Sequence, residues 1–177
     1  MQPKGRTQRP SYKWQMPVTG FIKINSDGAL RNEDSIGASG VVARDANSFR
    51  GAACKVYEGI SEPLIIDALA LRDVVASAVQ QGFPQVVFEV DCAVLLQHWN
   101  DRVCDRSVIK PVLDEISELY NSLFLCSFVF ACREANQAAH CCAKFASLQR
   151  VSCAWNADPP AFLADSLSVD CNSVILN

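Results

Sequence analysis

Hydrophobic and polar positions divide the chain into short strands first and helices afterwards. Phe21, Ile22 and Ile24 lie in a run rich in β-formers that closes on Asp27-Gly28 and predicts a first strand. The polar stretch from Leu30 to Ser35 predicts a turn, and Ser39–Arg44 a second strand. Asp45-Ala46-Asn47-Ser48 is turn chemistry again, and Phe49–Tyr57 predicts a third strand. Three strands joined by short turns predict an antiparallel meander. Pro63 is placed to open a helix over Leu64–Gln81, with apolar residues at Leu64, Ala68, Leu71, Val75 and Ala78 and a stop at Gly82. Val86–Val90 is a mostly apolar run ending on Asp91. A strand of that kind, reached through a helix, is expected to be parallel and buried. Further on, the pattern predicts a short helix over Ala93–Trp99, a longer one over Val108–Leu123, a strand through Phe128-Val129-Phe130 and a last helix over Ala135–Leu148. Beyond it, Ala161–Leu167 reads as one or two amphipathic turns.

Composition narrows the class. The 177 residues, half of them hydrophobic, fit one globular α/β domain over 14–150, with a lead-in over 1–13 and a tail over 151–177 packed on or near the domain. No apolar run approaches the roughly 20 residues of a membrane helix, and the N-terminus lacks an apolar signal core, so no membrane is expected. The nine cysteines are odd in number and include no C-x-x-C, which favours a reducing intracellular compartment over a disulfide framework or a zinc site. Lys4, Arg6, Arg9 and Lys13 make the lead-in basic, with no acid, and it is expected to be a disordered arm. With −3 overall, the remainder therefore carries −7. Such an arm suits phosphate, while the acidic body argues against a broad, tight nucleic-acid surface.

The candidate chemistry lies in three carboxylates. Asp27 closes the first strand and Asp91 the fourth, and right-handed crossover places those two strands side by side. Asp67, expected in the first turn of the intervening helix, leans toward them. Carboxylates that converge repel one another unless cations neutralise them, and hard oxygen donors suit Mg²⁺ or Mn²⁺. Each acid also has a plain structural alternative: Asp27 as a turn residue, Asp67 as an acid favouring the helix dipole, Asp91 as a helix N-cap. Of the two histidines, His98 is expected on a helix surface.

Ile24-Asn25-Ser26-Asp27-Gly28-Ala29, Gly40-Val41-Val42-Ala43-Arg44-Asp45, Asp67-Ala68-Leu69-Ala70-Leu71, Glu89-Val90-Asp91-Cys92 and Arg133-Glu134-Ala135-Asn136-Gln137-Ala138-Ala139-His140 together resemble the ribonuclease H-like domain family. They are most similar to its plant branch, many of whose members resemble retrotransposon ribonuclease H segments. The resemblance covers about residues 14–150 and implies a mixed five-stranded sheet, three antiparallel strands then two parallel, with flanking helices. It also implies cleavage of the RNA strand of an RNA–DNA hybrid by two divalent ions, Mg²⁺ or Mn²⁺.

Asp27 and Asp91 match the first and third acids of that family. Asp67 stands where the family has Glu, and His140 where active members have Asp, a replacement found in the plant branch. Asp27, Asp67, Asp91 and His140 are thus the implied catalytic and metal-holding residues. Gly28 is the candidate for close approach of a sugar–phosphate backbone. Arg133 and Asn136 are candidate phosphate contacts, with a helix N-cap role as the plainer account. A shorter carboxylate reaches less far, and a misplacement near 1 Å costs about 100-fold in rate. No basic, Trp-rich protrusion is visible, so unaided grip on a hybrid is expected to be weak. The alternatives are an inactive module that binds nucleic acid or a protein partner, and another nuclease of the same superfamily.

Overall fold

The computed structural model describes residues 13–171, the side chain of Cys171 excepted. The basic lead-in, Lys13 apart, and the last six residues of the tail lie outside the described residues. Three strands come first: β1 (Ile22–Arg31), β2 (Ile36–Arg44) and β3 (Phe49–Glu58), joined as an antiparallel meander. Then follow α1 (Pro63–Gln81), β4 (Gln85–Val90), α2 (Ala93–Asn100), α3 (Lys110–Tyr120) and β5 (Leu125–Phe130). A 3₁₀ turn (Arg133–Asn136) leads into α4 (Gln137–Gln149), and the chain closes with β6 (Cys153–Trp155), a second 3₁₀ turn (Ala161–Leu163) and α5 (Ala164–Cys171).

The sheet is mixed and runs β5-β4-β1-β2-β3-β6, with β1, β4 and β5 parallel. It has six strands where five were expected. The added strand pairs Cys153, Ala154 and Trp155 with β3, and three residues are too few to carry a periodic pattern of their own. α1 opens on Pro63, where a missing N–H costs nothing, and ends at Gly82 in the left-handed conformation (φ 65°). α3 is shorter at both ends than its pattern predicts, because Pro111 sits in its first turn and Asn121–Ser122 leave the helix in a turn. Among the described residues no helix is long and apolar enough to cross a membrane.

Strand alternation sorts the side chains into two layers. One face of β1 and β4, with Ile22, Ile24, Val86, Phe88 and Val90, packs on α1, α2 and α3 through Leu71, Val74, Leu95 and Leu113. Trp99, Tyr120 and Phe128 close that core as an aromatic cluster with centroids 4.8–5.3 Å apart, Trp99 edge-on to Phe128 and the other two pairs tilted. The other face of β2 and β3 packs on α4 through Ala138, Cys142 and Ala146, with Leu163 from the tail. The tail adds more: Phe162 stacks on Phe145 at 4.3 Å, and Asp170 of α5 forms a buried ion pair with Arg44 at 2.5 Å.

Candidate active site

β1 does not end at Asp27, as its pattern suggested. It continues to Arg31 on β2, but its parallel pairing with β4 stops at Ser26 opposite Val90. Asp27 and Asp91 each follow that last pair, so they stand side by side where the two strands part. Asp27 shares a face of β1 with Asn25, where α4 packs on that strand.

Asp67 arrives from the other layer. It is the fifth residue of α1, and no acid lies in that helix's first turn. The helix-dipole alternative therefore has no geometric basis. Asp67 lies against Gly28 and Cys92, and the Gly28 N–H and the Cys92 thiol both favour its charged form. Gly28 makes this approach possible: a Cβ there would lie 2.6 Å from Asp67 Oδ1 and 3.0 Å from the Asp67 backbone N. The space expected for a sugar–phosphate backbone is thus filled by the protein's own carboxylate.

The fourth position is His140, whose Nδ1 lies 2.7 Å from Asp27 Oδ2. A second glycine brings it there. Gly40 pairs with Asp27 across β1 and β2, and a Cβ on it would lie 2.2 Å from Ala139 O and 2.3 Å from Ala143 N. α4 therefore lies directly against β2. The signal for this was present in the sequence, since a glycine inside a strand marks close backbone approach, but it was not read.

Asn136 and Arg133 are brought to the site, though not as helix caps. Asn136 occupies the N-cap position of α4 without a side-chain capping bond. Instead its amide donates to Ser26 O at 2.9 Å and accepts from Asn25 Nδ2 at 3.0 Å, and it favours the charged form of the neighbouring Asp91. Asn25 in turn donates to Glu89 and accepts from Arg44, so a buried polar network underlies the carboxylates. Asp91 is not a cap either, because the residue at the N-cap of α2 is Cys92. Cys92, quoted in the Glu89-Val90-Asp91-Cys92 motif, has no role in the sequence reading; its position after Asp91 is the signal for one.

Burial, and then the negative charge of Asp91, push the Asp27 carboxyl up to about 6. The hydrogen bond and charge of His140 and the charge of Arg133 pull the other way. Burial likewise lifts Asp67 to about 6, with Asp27 and Asp91 adding to it and the Cys92 thiol opposing. Asp91 is raised by burial too, against Arg133, Asn136 and His140. The Cys92 thiol is pushed up to about 11 by burial and the neighbouring carboxylates.

Among the described residues no group of three or more His, Cys, Asp and Glu side chains is arranged to hold a metal ion. The donor chemistry nevertheless fits a hard divalent cation. Burial raises the proton affinity of all three carboxylates, and the charge of Asp91 adds to it at Asp27 and those of Asp27 and Asp91 at Asp67, so a cation would offset charge that the fold has desolvated.

His98 bonds Asp105 across the loop after α2 and is half-buried.

The fold is shared with ribonucleases H. RNase H1 from the halophilic archaeon Halobacterium salinarum matches with a TM-score of 0.67 at 16% identity, over 74% of this chain and 99% of that one. LC11-RNase H1, solved in complex with an RNA/DNA hybrid, matches at 0.65 and 16% over 73% and 98%. The N-terminal RNase H domain of a Mycobacterium tuberculosis protein matches at 0.66 and 15% over 73% and 94%. No curated protein matches the sequence. The reverse transcriptase-like family matches residues 25–146, from the middle of β1 to the last turn of α4 and so across all four site positions, and the chain belongs to that family.

Proposed function

We propose that the protein hydrolyses the RNA strand of RNA–DNA hybrids. The observation that carries this is the meeting of Asp27 and Asp91 at the fork between β1 and β4, with Asp67 held against Gly28 by α1. Bound there, Mg²⁺ or Mn²⁺ on Asp27, Asp67 and Asp91, with His140 at the edge, would supply an activated water and charge for the leaving oxygen. The protein's own groups orient this chemistry. His140 fixes one oxygen of Asp27, Asn136 steadies Asp91, and Arg133 adds positive charge beside both, where a phosphate would approach. The likeness to LC11-RNase H1 with its bound hybrid supports the substrate class. The Asn136-x-x-x-His140 spacing supports the plant, retrotransposon-related branch, and the cysteine usage supports a reducing compartment.

One observation favours a second reading, a non-catalytic module that binds nucleic acid or a protein partner. The Asp67 carboxylate is packed against Gly28, and His140 occupies an oxygen of Asp27. Cleavage of a labelled hybrid in Mg²⁺ and in Mn²⁺ decides between them, with Asp27→Asn as control. Cutting by the native chain that is lost in Asp27→Asn supports the nuclease. Cutting only after Asp67→Glu with His140→Asp overturns it and leaves a decayed site retained for binding.

A further inference from the structure

We propose that β5 is a self-association edge, on which two copies of this chain join their sheets about a two-fold axis at Ser127. This is independent of the hydrolytic reading. β5 ends the sheet order, so one side of it carries no strand among the described residues. Natural edge strands are ordinarily blunted by charge, proline or bulges. Here the twelve residues from Asn121 to Cys132 contain no charge and no proline, and the β4–β5 register runs without a bulge.

The exposed side chains complement themselves. Phe124 is 88% exposed, Leu125 47%, Val129 42% and Phe130 48%, four large apolar groups within seven residues. Opposed residues of an antiparallel pair share a face, so a two-fold axis must pass through a residue and not between residues. With the axis at Ser127, Phe124 meets Phe130 of the second copy and Leu125 meets its Val129. Each exposed group then finds an exposed apolar partner. An axis at Phe128 sets Ser127 against Val129 and leaves Phe124 opposite Cys132, a poorer match.

The backbone agrees. Ala131 N–H donates to Val90 O at 2.9 Å, so the odd-numbered residues of β5 turn their amides to β4. Cys126, Phe128 and Phe130 therefore direct theirs outward, and Cys126 and Phe128 become a hydrogen-bonded pair across the axis. Tyr120 Oη already donates to the Cys126 carbonyl at 2.7 Å, which leaves that oxygen its second lone pair. At roughly 200 Å² per ring, the two phenylalanines and their exposures offer about 270 Å² per copy. With Leu125, Val129 and the strand edge added, the total is on the order of 1,000 Å², the lower end of specific interfaces and suited to a reversible dimer.

Sedimentation of the native chain from about 1 to about 200 µM is expected to pass from monomer to dimer and stop there. Val129→Lys puts a charge at the centre of the edge and is expected to hold the protein monomeric. Val103→Lys, on an exposed loop position, is expected to leave association unchanged. Circular dichroism on each variant excludes unfolding as the cause. Ser127→Cys reads the register: two Cα atoms opposed at the axis lie within disulfide range. A covalent dimer under mild oxidation that the native chain does not give supports the proposal. Three outcomes overturn it: a monomer throughout, which would leave the edge to the chain's own ends or to another partner; assembly that continues past two copies; or no Ser127→Cys cross-link in a sample that dimerises.

Discussion

His140 Nδ1 and Asp27 Oδ2 lie 2.7 Å apart, joined across 113 residues of chain by the seating of α4 on Gly40. A buried carboxylate on β1 is thereby oriented by a ring on the last helix of the matched region, at a position whose alternative is a fourth acid. The contact couples the charge of the site to the packing of two layers.

His140→Asp would replace the partner of Asp27 with a like charge. Without divalent cation, the melting temperature is expected to fall, because four acids then face one another. With Mg²⁺ it is expected to recover by more than the native protein gains, since ligand stabilisation grows with affinity. Thermal melts with chelator and with Mg²⁺ test both signs.

Asp27→Asn is expected to stabilise the metal-free protein at neutral pH. Folding lifts this carboxyl from 3.8 to about 6, so folding disfavours its charged form. The destabilisation is fully present above the folded value and disappears as pH falls through 6 toward 4. Two units correspond to about 3 kcal/mol. Urea denaturation in chelator should therefore show the native chain gaining stability from pH 7.5 to 4.5 with a steeper slope than the variant. Equal slopes would contradict the burial of this charge.

Gly28→Ala and Gly40→Ala separate two kinds of close approach. The Cβ at 28 meets first the tip of Asp67, which can swing aside, and is expected to cost about 1–2 kcal/mol and to weaken cation binding. At 40 the added atom meets the backbone of α4 at Ala139 and Ala143, which cannot yield without moving the helix. A cost of about 3 kcal/mol or more is expected there, with loss of the His140 contact. Chemical denaturation ranks the two, and the chemical shifts of the His140 ring report the contact.

Asp170→Ala removes the carboxylate from a buried pair whose side chains are each 6% exposed, while Arg44 keeps its bond to Asn25 and its place over Trp14. A loss of about 3 kcal/mol is expected, since removing one partner of a buried pair leaves the other charge less well compensated. Replacing Asp165, on the exposed first turn of the same helix, is expected to change little. A comparable loss from both would remove the special role of the ion pair.

The local pattern of the sequence determined a large part of this protein. Period-two and period-3.6 runs placed β1 to β4, α1 with its Pro63 start and Gly82 stop, and Asp91 at the end of a buried parallel strand. Crossover handedness then put β4 beside β1, which is enough to bring Asp27 and Asp91 together. These features depend on residues close in sequence, where side-chain direction follows from backbone geometry.

What the tertiary structure decided lies between residues far apart. Gly28 reads as a point of approach for a sugar–phosphate backbone, and Gly40 has no reading of its own, until α1 and α4 are seen filling the space above them. Asn136 reads as a helix cap until Asn25, 111 residues earlier, takes its amide oxygen. β6 is too short for any period, and only pairing with β3 makes it a strand. The exposed row on β5 looks like core until the sheet is found to end there. Packing between layers, and the need to satisfy each polar group it buries, made those choices, and neither is encoded in the pattern of any single segment.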